Sequence, residues 1–237
     1  MSTLRNLLID FGGVLIDLDK PRCMENFRRL GIGGLEDLLQ SCHQQGFLLD
    51  FEKGNITKEA FFSHVRSLIC QKPCPSSGKA PALSEKGEAL SAQSAACTEP
   101  SDAAIAEAWN SFLAGVPRYK LEQLRLLKKS YRMLLLSNTN ELHWAWSERH
   151  DFGSGGHTTA DYFDDIFLSF RLHMAKPAPE IFAEVIRQSG IRPEETLFID
   201  DSPANCSAAE AFGIRTFTPQ ERTDWAAQLF PDLKHGL

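Results

Sequence analysis

The stretch Leu7-Leu8-Ile9-Asp10-Phe11-Gly12-Gly13-Val14-Leu15 decides the fold. Three apolar residues run into one acid, and the acid runs into two glycines. Such an apolar run predicts the end of a buried parallel strand, and Gly12-Gly13 predicts a sharp turn after it. Asp10 then stands at the carboxyl end of the strand, where open α/β sheets gather their ligands. A carboxylate there can coordinate a hard cation, attack phosphorus as a nucleophile, or simply cap a turn.

Further strands follow far along the chain. Tyr131–Ser137, Ile166–Ser169, Thr196–Ile199 and Ile214–Phe217 are apolar runs of strand length, and helical patterns separate them. Leu142 and Trp144 mark one helix. Ile181, Phe182 and Val185 mark another, which Lys176-Pro177 is expected to open. A third begins at Ser202-Pro203. Strands alternating with helices predict an α/β fold, a Rossmann-like parallel sheet with helices on both faces, and Leu7–Phe11 joins that sheet. Between about Leu18 and Pro117 no strand is expected. Pro21 starts one helix, Leu35 to Cys42 suggests a second, Thr57 caps a third, and Ser101-Asp102 caps a fourth. The expected organisation is a core of residues 1–17 and 118–237 with a helical unit, 18–117, inserted between the first two strands. Within that unit Lys72 to Pro100 is rich in Pro, Ser, Ala and Gly. It reads as a disordered or loosely ordered surface insertion, with a short helix around Glu85 to Ala96 conceivable.

The totals narrow the function. A chain of 237 residues, 43% hydrophobic and 24% charged, is long enough and apolar enough for a core plus a smaller domain. The net charge of −6 argues against a nucleic-acid partner. Asp10 interrupts the first apolar run too early for a signal peptide, and no stretch has transmembrane length, so a cytoplasmic protein that engages no membrane is expected. The six cysteines form no paired metal-binding spacing and read as reduced thiols. His143, His150 and His157 recur at a fixed interval. Gly153, Gly155 and Gly156 break any helix that would align them, so they read as structural or solvated.

Three strands end in polar groups: Asp10, Ser137 and Asp200-Asp201. Lys176 stands just before a proline. In a parallel sheet these groups meet at one edge. Asp10 would attack phosphorus, Asp10 and Asp201 would hold Mg²⁺, and Ser137, Asn138 and Lys176 would take the phosphoryl oxygens. Each piece also has a plainer reading. Ser137 can bond its own backbone, Lys176 can be a surface charge, and Asp201 or Ser202 can cap the helix at Pro203. Their ordered recurrence after apolar strands favours one shared site.

Ile9-Asp10-Phe11-Gly12-Gly13-Val14-Leu15, Leu136-Ser137-Asn138, Lys176-Pro177 and Phe198-Ile199-Asp200-Asp201-Ser202 resemble, in order, the four motifs of the haloacid dehalogenase superfamily. The helical unit is similar to that family's C1 cap. Ser137-Asn138-Thr139-Asn140 and Asp200-Asp201 with Asn205 resemble the branch of bacterial α-D-glucose-1-phosphate phosphatases. The resemblance implies a Mg²⁺-dependent phosphatase of small phosphorylated metabolites, acting through an aspartyl-phosphate. Asp10 would be nucleophile and metal ligand, with Asp201 and the Gly12 carbonyl completing the protein's metal ligands. Asp200 would lie just behind them. Ser137 and Asn138 would bind phosphate, and Lys176 would stabilise the charge. A monomer is expected.

Gly12 departs from the family's phosphatases, most of which carry an aspartate there as general acid and base. Such help is typically worth about a hundredfold or more. The expected outcome is a substrate whose leaving group needs little protonation, such as an anomeric sugar phosphate, or a stand-in acid: Asp17, Asp19 or a cap residue. Two competing functions are a metal-independent 2-haloacid dehalogenase and a non-catalytic binding protein on the same fold. Asp200-Asp201 weighs against the dehalogenase, because extra negative charge repels a carboxylate substrate. Phe47, Phe51, Phe61, Phe62 and Trp109 are candidates for lining the site, although aromatic residues at helical spacing are more often core.

Overall fold

Leu7, Leu8 and Ile9 are fully buried because their strand is the middle of a sheet. In the computed structural model, which describes residues 3–33, 46–68, 99–220 and 223–231, five parallel strands lie in the order β3-β2-β1-β4-β5. They are β1 (Asn6–Ile9), β2 (Arg132–Ser137), β3 (Asp165–Leu168), β4 (Thr196–Ile199) and β5 (Arg215–Phe217). Alternate residues of the central strands point to opposite faces. Leu7, Ile9, Met133 and Leu135 pack on one side with Leu124, Trp144 and Trp225. Leu8, Leu134, Leu136 and Phe198 pack on the other with Ile181, Phe182 and Val185. Both faces are therefore covered, as a parallel sheet requires.

The register positions the site. Ile9 pairs with Leu135 on one side and Ile199 on the other, so β1, β2 and β4 end close together. The chain turns one way from β1 to β2 and the other way to β4, and such a reversal opens a crevice at the strand ends.

Between β1 and β2 the described residues are helical: α1 (Lys20–Arg29), α2 (Phe47–Glu52), α3 (Lys58–Ser67) and α4 (Asp102–Asn110), before α5 (Arg118–Leu127) leads into β2. Thr57 and Ser101 cap α3 and α4 as expected, their hydroxyls accepting from the N–H of Ala60 and Ala104. These helices bury their own apolar cluster, including Phe27, Phe51, Phe61, Val65 and Ile105. Full burial of each such side chain contributes about 1.5–3 kcal/mol. The two connecting segments run side by side: Asp19 N–H donates to Phe112 O (2.7 Å) and Ala114 N–H to Asp17 O (3.0 Å).

Several local expectations shift. Helix α1 begins at Lys20, with Asp19 as its cap, and Pro21 falls one residue inside. Lys176-Pro177 does not open a helix. That peptide bond is cis, and α8 (Pro179–Ser189) begins later because the Lys176 backbone is already paired with the Asn138 side chain. Ser169 ends no strand but starts the short helix α7 (Ser169–Leu172). The expected helix over Leu35 to Cys42 and nearly all of Lys72 to Pro100, including Glu85 to Ala96, lie outside the described residues. Helix α6 (Glu141–Ser147), α9 (Pro203–Glu210) and a final α10 (Trp225–Leu229) complete the chain. Among the described residues no helix is long and apolar enough to cross a membrane.

Candidate active site

Asp10 follows β1, and its N–H donates to Ile199 O (2.9 Å), which ties it to the end of β4. Asp10 is only 7% exposed. A buried charge needs a partner, and Lys176 supplies it, with Nζ 2.7 Å from Asp10 Oδ1. The same ammonium lies 2.6 Å from Asp200 Oδ2 and donates to Leu136 O (2.9 Å). All three ammonium protons are therefore used. Burial alone would lower the Lys176 pKa, but Asp10 and Asp200 outweigh it and hold the group above its ordinary value. Burial pushes Asp10 up to about 7, with Lys176 pulling against that shift and Asp200 adding to it.

Asp200 is saturated. Oδ1 accepts from Ser202 N–H (2.9 Å) and Asn205 Nδ2 (2.9 Å), and Oδ2 accepts from Lys176 and Asn205. Asp200 thus bonds the N–H of Ser202, the residue before α9, and the Ser202 hydroxyl makes no capping bond. Asp10, Asp200 and Asp201 offer carboxylate oxygens all within 4.8 Å of one another. This cluster could hold a divalent cation. Hard oxygen donors of this kind suit Mg²⁺. Gly13 makes room for this arrangement. Its φ is +74°, and a Cβ there would run into the Asp201 carboxylate.

Ser137 is 1% exposed at the end of β2, and Ser137 and Asn138 line the same cavity as Asp10, Lys176 and Asp201. The Asn138 side chain is turned to a task the sequence did not signal. Nδ2 donates to Lys176 O and Oδ1 accepts from Lys176 N–H, both at 2.9 Å. It clamps the backbone that presents the lysine.

The cavity, about 790 Å³, has a second wall. Leu49, Glu52 and Lys53 come from α2 and its end, and Trp109 and Phe112 come from α4 and its end. Of the aromatic residues proposed for lining, Trp109 does so, whereas Phe51, Phe61 and Phe62 lie in the apolar cluster and Phe47 packs against it. Asp17 and Asp19 do not line it, and Asp19 caps α1 instead, accepting from Arg22 N–H (3.0 Å). Glu52 escaped the sequence reading because what brings it here is packing: Ser169 Oγ donates to Glu52 O (2.6 Å) across 117 residues. His143, read from the sequence as structural or solvated, lines the cavity too. It is buried and stacked on Trp109.

The family model described as haloacid dehalogenase-like hydrolase matches residues 4–213. The chain belongs to this family. A D-ribitol-5-phosphate phosphatase of Bacteroides thetaiotaomicron is 31% identical over 226 residues, covering 95% of this chain and 97% of that protein. A haloacid dehalogenase family enzyme of the same organism, solved in complex with magnesium and inorganic phosphate, is 40% identical with a TM-score of 0.79, covering 96% of this chain and 99% of that one. A predicted haloacid dehalogenase-like hydrolase from Porphyromonas gingivalis is 29% identical with a TM-score of 0.77, covering 99% and 98%. These likenesses of the haloacid dehalogenase-like hydrolase span nearly the whole chain, not the sheet alone.

Proposed function

We propose that this hydrolase is a Mg²⁺-dependent phosphatase of small sugar or polyol phosphates, with residues 18–117 forming a cap over a site carried by residues 1–17 and 118–237. One observation carries the reading: Asp10, buried and ion-paired with Lys176, sits with Asp201 at the floor of a cavity roofed by helices. The 31% identical relative named for ribitol 5-phosphate, and the 40% identical enzyme bound to magnesium and phosphate, support the substrate class and the metal.

In this proposal an Asp10 oxygen attacks phosphorus, and the bond from phosphorus to the ester oxygen breaks. The products are an aspartyl-phosphate and the alcohol, once that oxygen has taken a proton. Water then attacks the same phosphorus, the bond to Asp10 breaks, and phosphate leaves with the carboxylate restored. Ser137 and the backbone of Asn138 bind phosphoryl oxygens at the end of β2. Lys176 holds Asp10 oriented and offsets the charge that builds up around it. Asp200 and Asn138 fix Lys176, one through its ammonium and the other through its backbone. Mg²⁺, held by Asp10 and Asp201 with the Gly12 carbonyl nearby, would supply positive charge for the phosphoryl oxygens. The preponderance of carboxylates also disfavours an anionic 2-haloacid.

The test is phosphate release from ribitol 5-phosphate, anomeric sugar phosphates and p-nitrophenyl phosphate, in Mg²⁺ and in EDTA. The expected result is Mg²⁺-dependent release that falls by on the order of 10⁴-fold in Asp10→Asn, the scale of losing one member of a covalent catalytic unit. Turnover that persists in EDTA or in Asp10→Asn would overturn the reading.

A further inference from the structure

An ester cleaved in this cavity yields an alkoxide, and the alkoxide must acquire a proton. Asp10 is the attacking group, and Gly12 has no side chain. Among the described residues the carboxyl groups lining the cavity are Asp10, Asp201 and Glu52. Asp201 belongs to the acidic cluster beneath the phosphoryl group. Of these three, among the described residues, Glu52 alone comes from the helices between β1 and β2.

Its position is held from the core. Ser169 Oγ, which donates to Glu52 O, also accepts from Thr139 N–H (2.9 Å), two residues beyond Ser137. His173 Nδ1 donates to Lys53 O (2.9 Å). Gly54, with φ +64°, seats the turn so closely on α7 that a Cβ there would strike Phe170 O. The C-terminal end of α2 is thus fastened to the sheet edge that carries Ser137, whatever the rest of the helical unit does.

We propose that Glu52 is the general acid and base of this hydrolase; the proposal rests on the phosphatase reading above. As the Asp10–phosphorus bond forms and the ester bond breaks, the Glu52 carboxyl proton passes to the leaving oxygen. In the second half the Glu52 carboxylate takes a proton from water as that water's oxygen bonds phosphorus and the bond to Asp10 breaks. Both groups return to their starting states. Burial raises the Glu52 pKa to about 7 against the pull of Lys176, so both protonation states are accessible near neutrality.

The experiment compares Glu52→Gln, Glu52→Asp and wild type, all with Mg²⁺, on a primary alkyl phosphate and on p-nitrophenyl phosphate. An acid matters for the alkoxide and much less for nitrophenolate, which leaves without a proton. In Glu52→Gln kcat/KM should fall about a hundredfold or more on the alkyl ester and at least tenfold less than that on the nitrophenyl ester. Glu52→Asp should recover part of the difference. Equal losses on both esters, or no loss on either, would overturn the assignment. A leaving-group series on wild type needs no variant: a shallow dependence of kcat/KM on leaving-group pKa is expected, and a steep one would count against any general acid. Mg²⁺-dependent turnover of p-nitrophenyl phosphate by wild type, lost in Asp10→Asn, tests the phosphatase reading separately.

Discussion

Two buried polar networks hold this molecule together, and they are built on opposite principles. The one at the sheet edge is ionic: Lys176 between Asp10 and Asp200, with Asn205 and Ser202 N–H completing the bonds of Asp200. The one between α4 and α6 is neutral. Asn140 Oδ1 accepts from Trp109 Nε1 (3.3 Å) and from His143 N–H (3.1 Å), Asn140 Nδ2 donates to His143 Nδ1 (3.2 Å), and His143 Nε2 donates to Trp109 O (3.1 Å). The Nδ1 acceptor role requires the imidazole to be uncharged. A charged network keeps its geometry by having every charge answered inside the protein. A neutral one keeps it only while no proton arrives.

That contrast can be broken from its ionic side. Lys176→Met leaves Asp10 and Asp200 buried with no cation between them. Removing one partner of a buried pair costs roughly 3–5 kcal/mol, so the urea midpoint of the metal-free protein should drop by that equivalent, and phosphate release should vanish. A variant as stable as wild type would show that the ion pair does not hold the sheet edge.

The neutral network should yield to acid. Burial holds His143 down at about 4, against the hydrogen bond to Trp109 O, whereas in the unfolded chain it titrates near 6.5. Between those values the unfolded state binds more protons, so this group's contribution to stability falls as pH falls through the window. By pH 4 the loss is roughly 3 kcal/mol. Asp10 and Glu52, whose folded pKa values are raised, act in the opposite sense over the same range. The informative quantity is therefore the difference between wild type and His143→Gln, measured by urea unfolding at each pH. Wild type should lose ground to the variant steadily from pH 7 to pH 4. A difference independent of pH would mean that His143 accepts a proton in place.

A finer cut separates metal binding from the ionic network. Gly13→Ala places a methyl group against Asp201 and forces a left-handed backbone, which costs about 1–2 kcal/mol. Mg²⁺ affinity should weaken by about tenfold, as when a supporting residue of a metal site is altered, while Lys176 keeps both its carboxylates. Titration of activity against Mg²⁺ checks this, and an unchanged midpoint would detach Asp201 from the metal.

The two networks also differ in how far they could be foreseen. Asp10, Ser137 and Asp200-Asp201 stand directly after apolar runs, and in a parallel sheet residues in that position converge whatever the loops do. Phe51, Phe61 and Phe62 were candidates for lining the site, with core the commoner fate of such residues, and they lie in the apolar cluster. Local signals also marked Thr57 and Ser101, each of which caps a helix. Such caps are satisfied within a few residues, so sequence carries them whole.

What lies across long separations was hidden. The sequence by itself determined the order of strands and helices, the polar strand ends and the acid cluster, because these depend on neighbours within a turn or on the geometry common to parallel sheets. Only the tertiary structure decided that Asn138 clamps Lys176, that Asp200 bonds Ser202 N–H before α9, that Trp109 joins His143, and that Glu52 lines the same cavity as Asp10. All but the second depend on two distant segments meeting, and the energy that selects the meeting is packing and hydrogen bonding shared by both, written in neither alone.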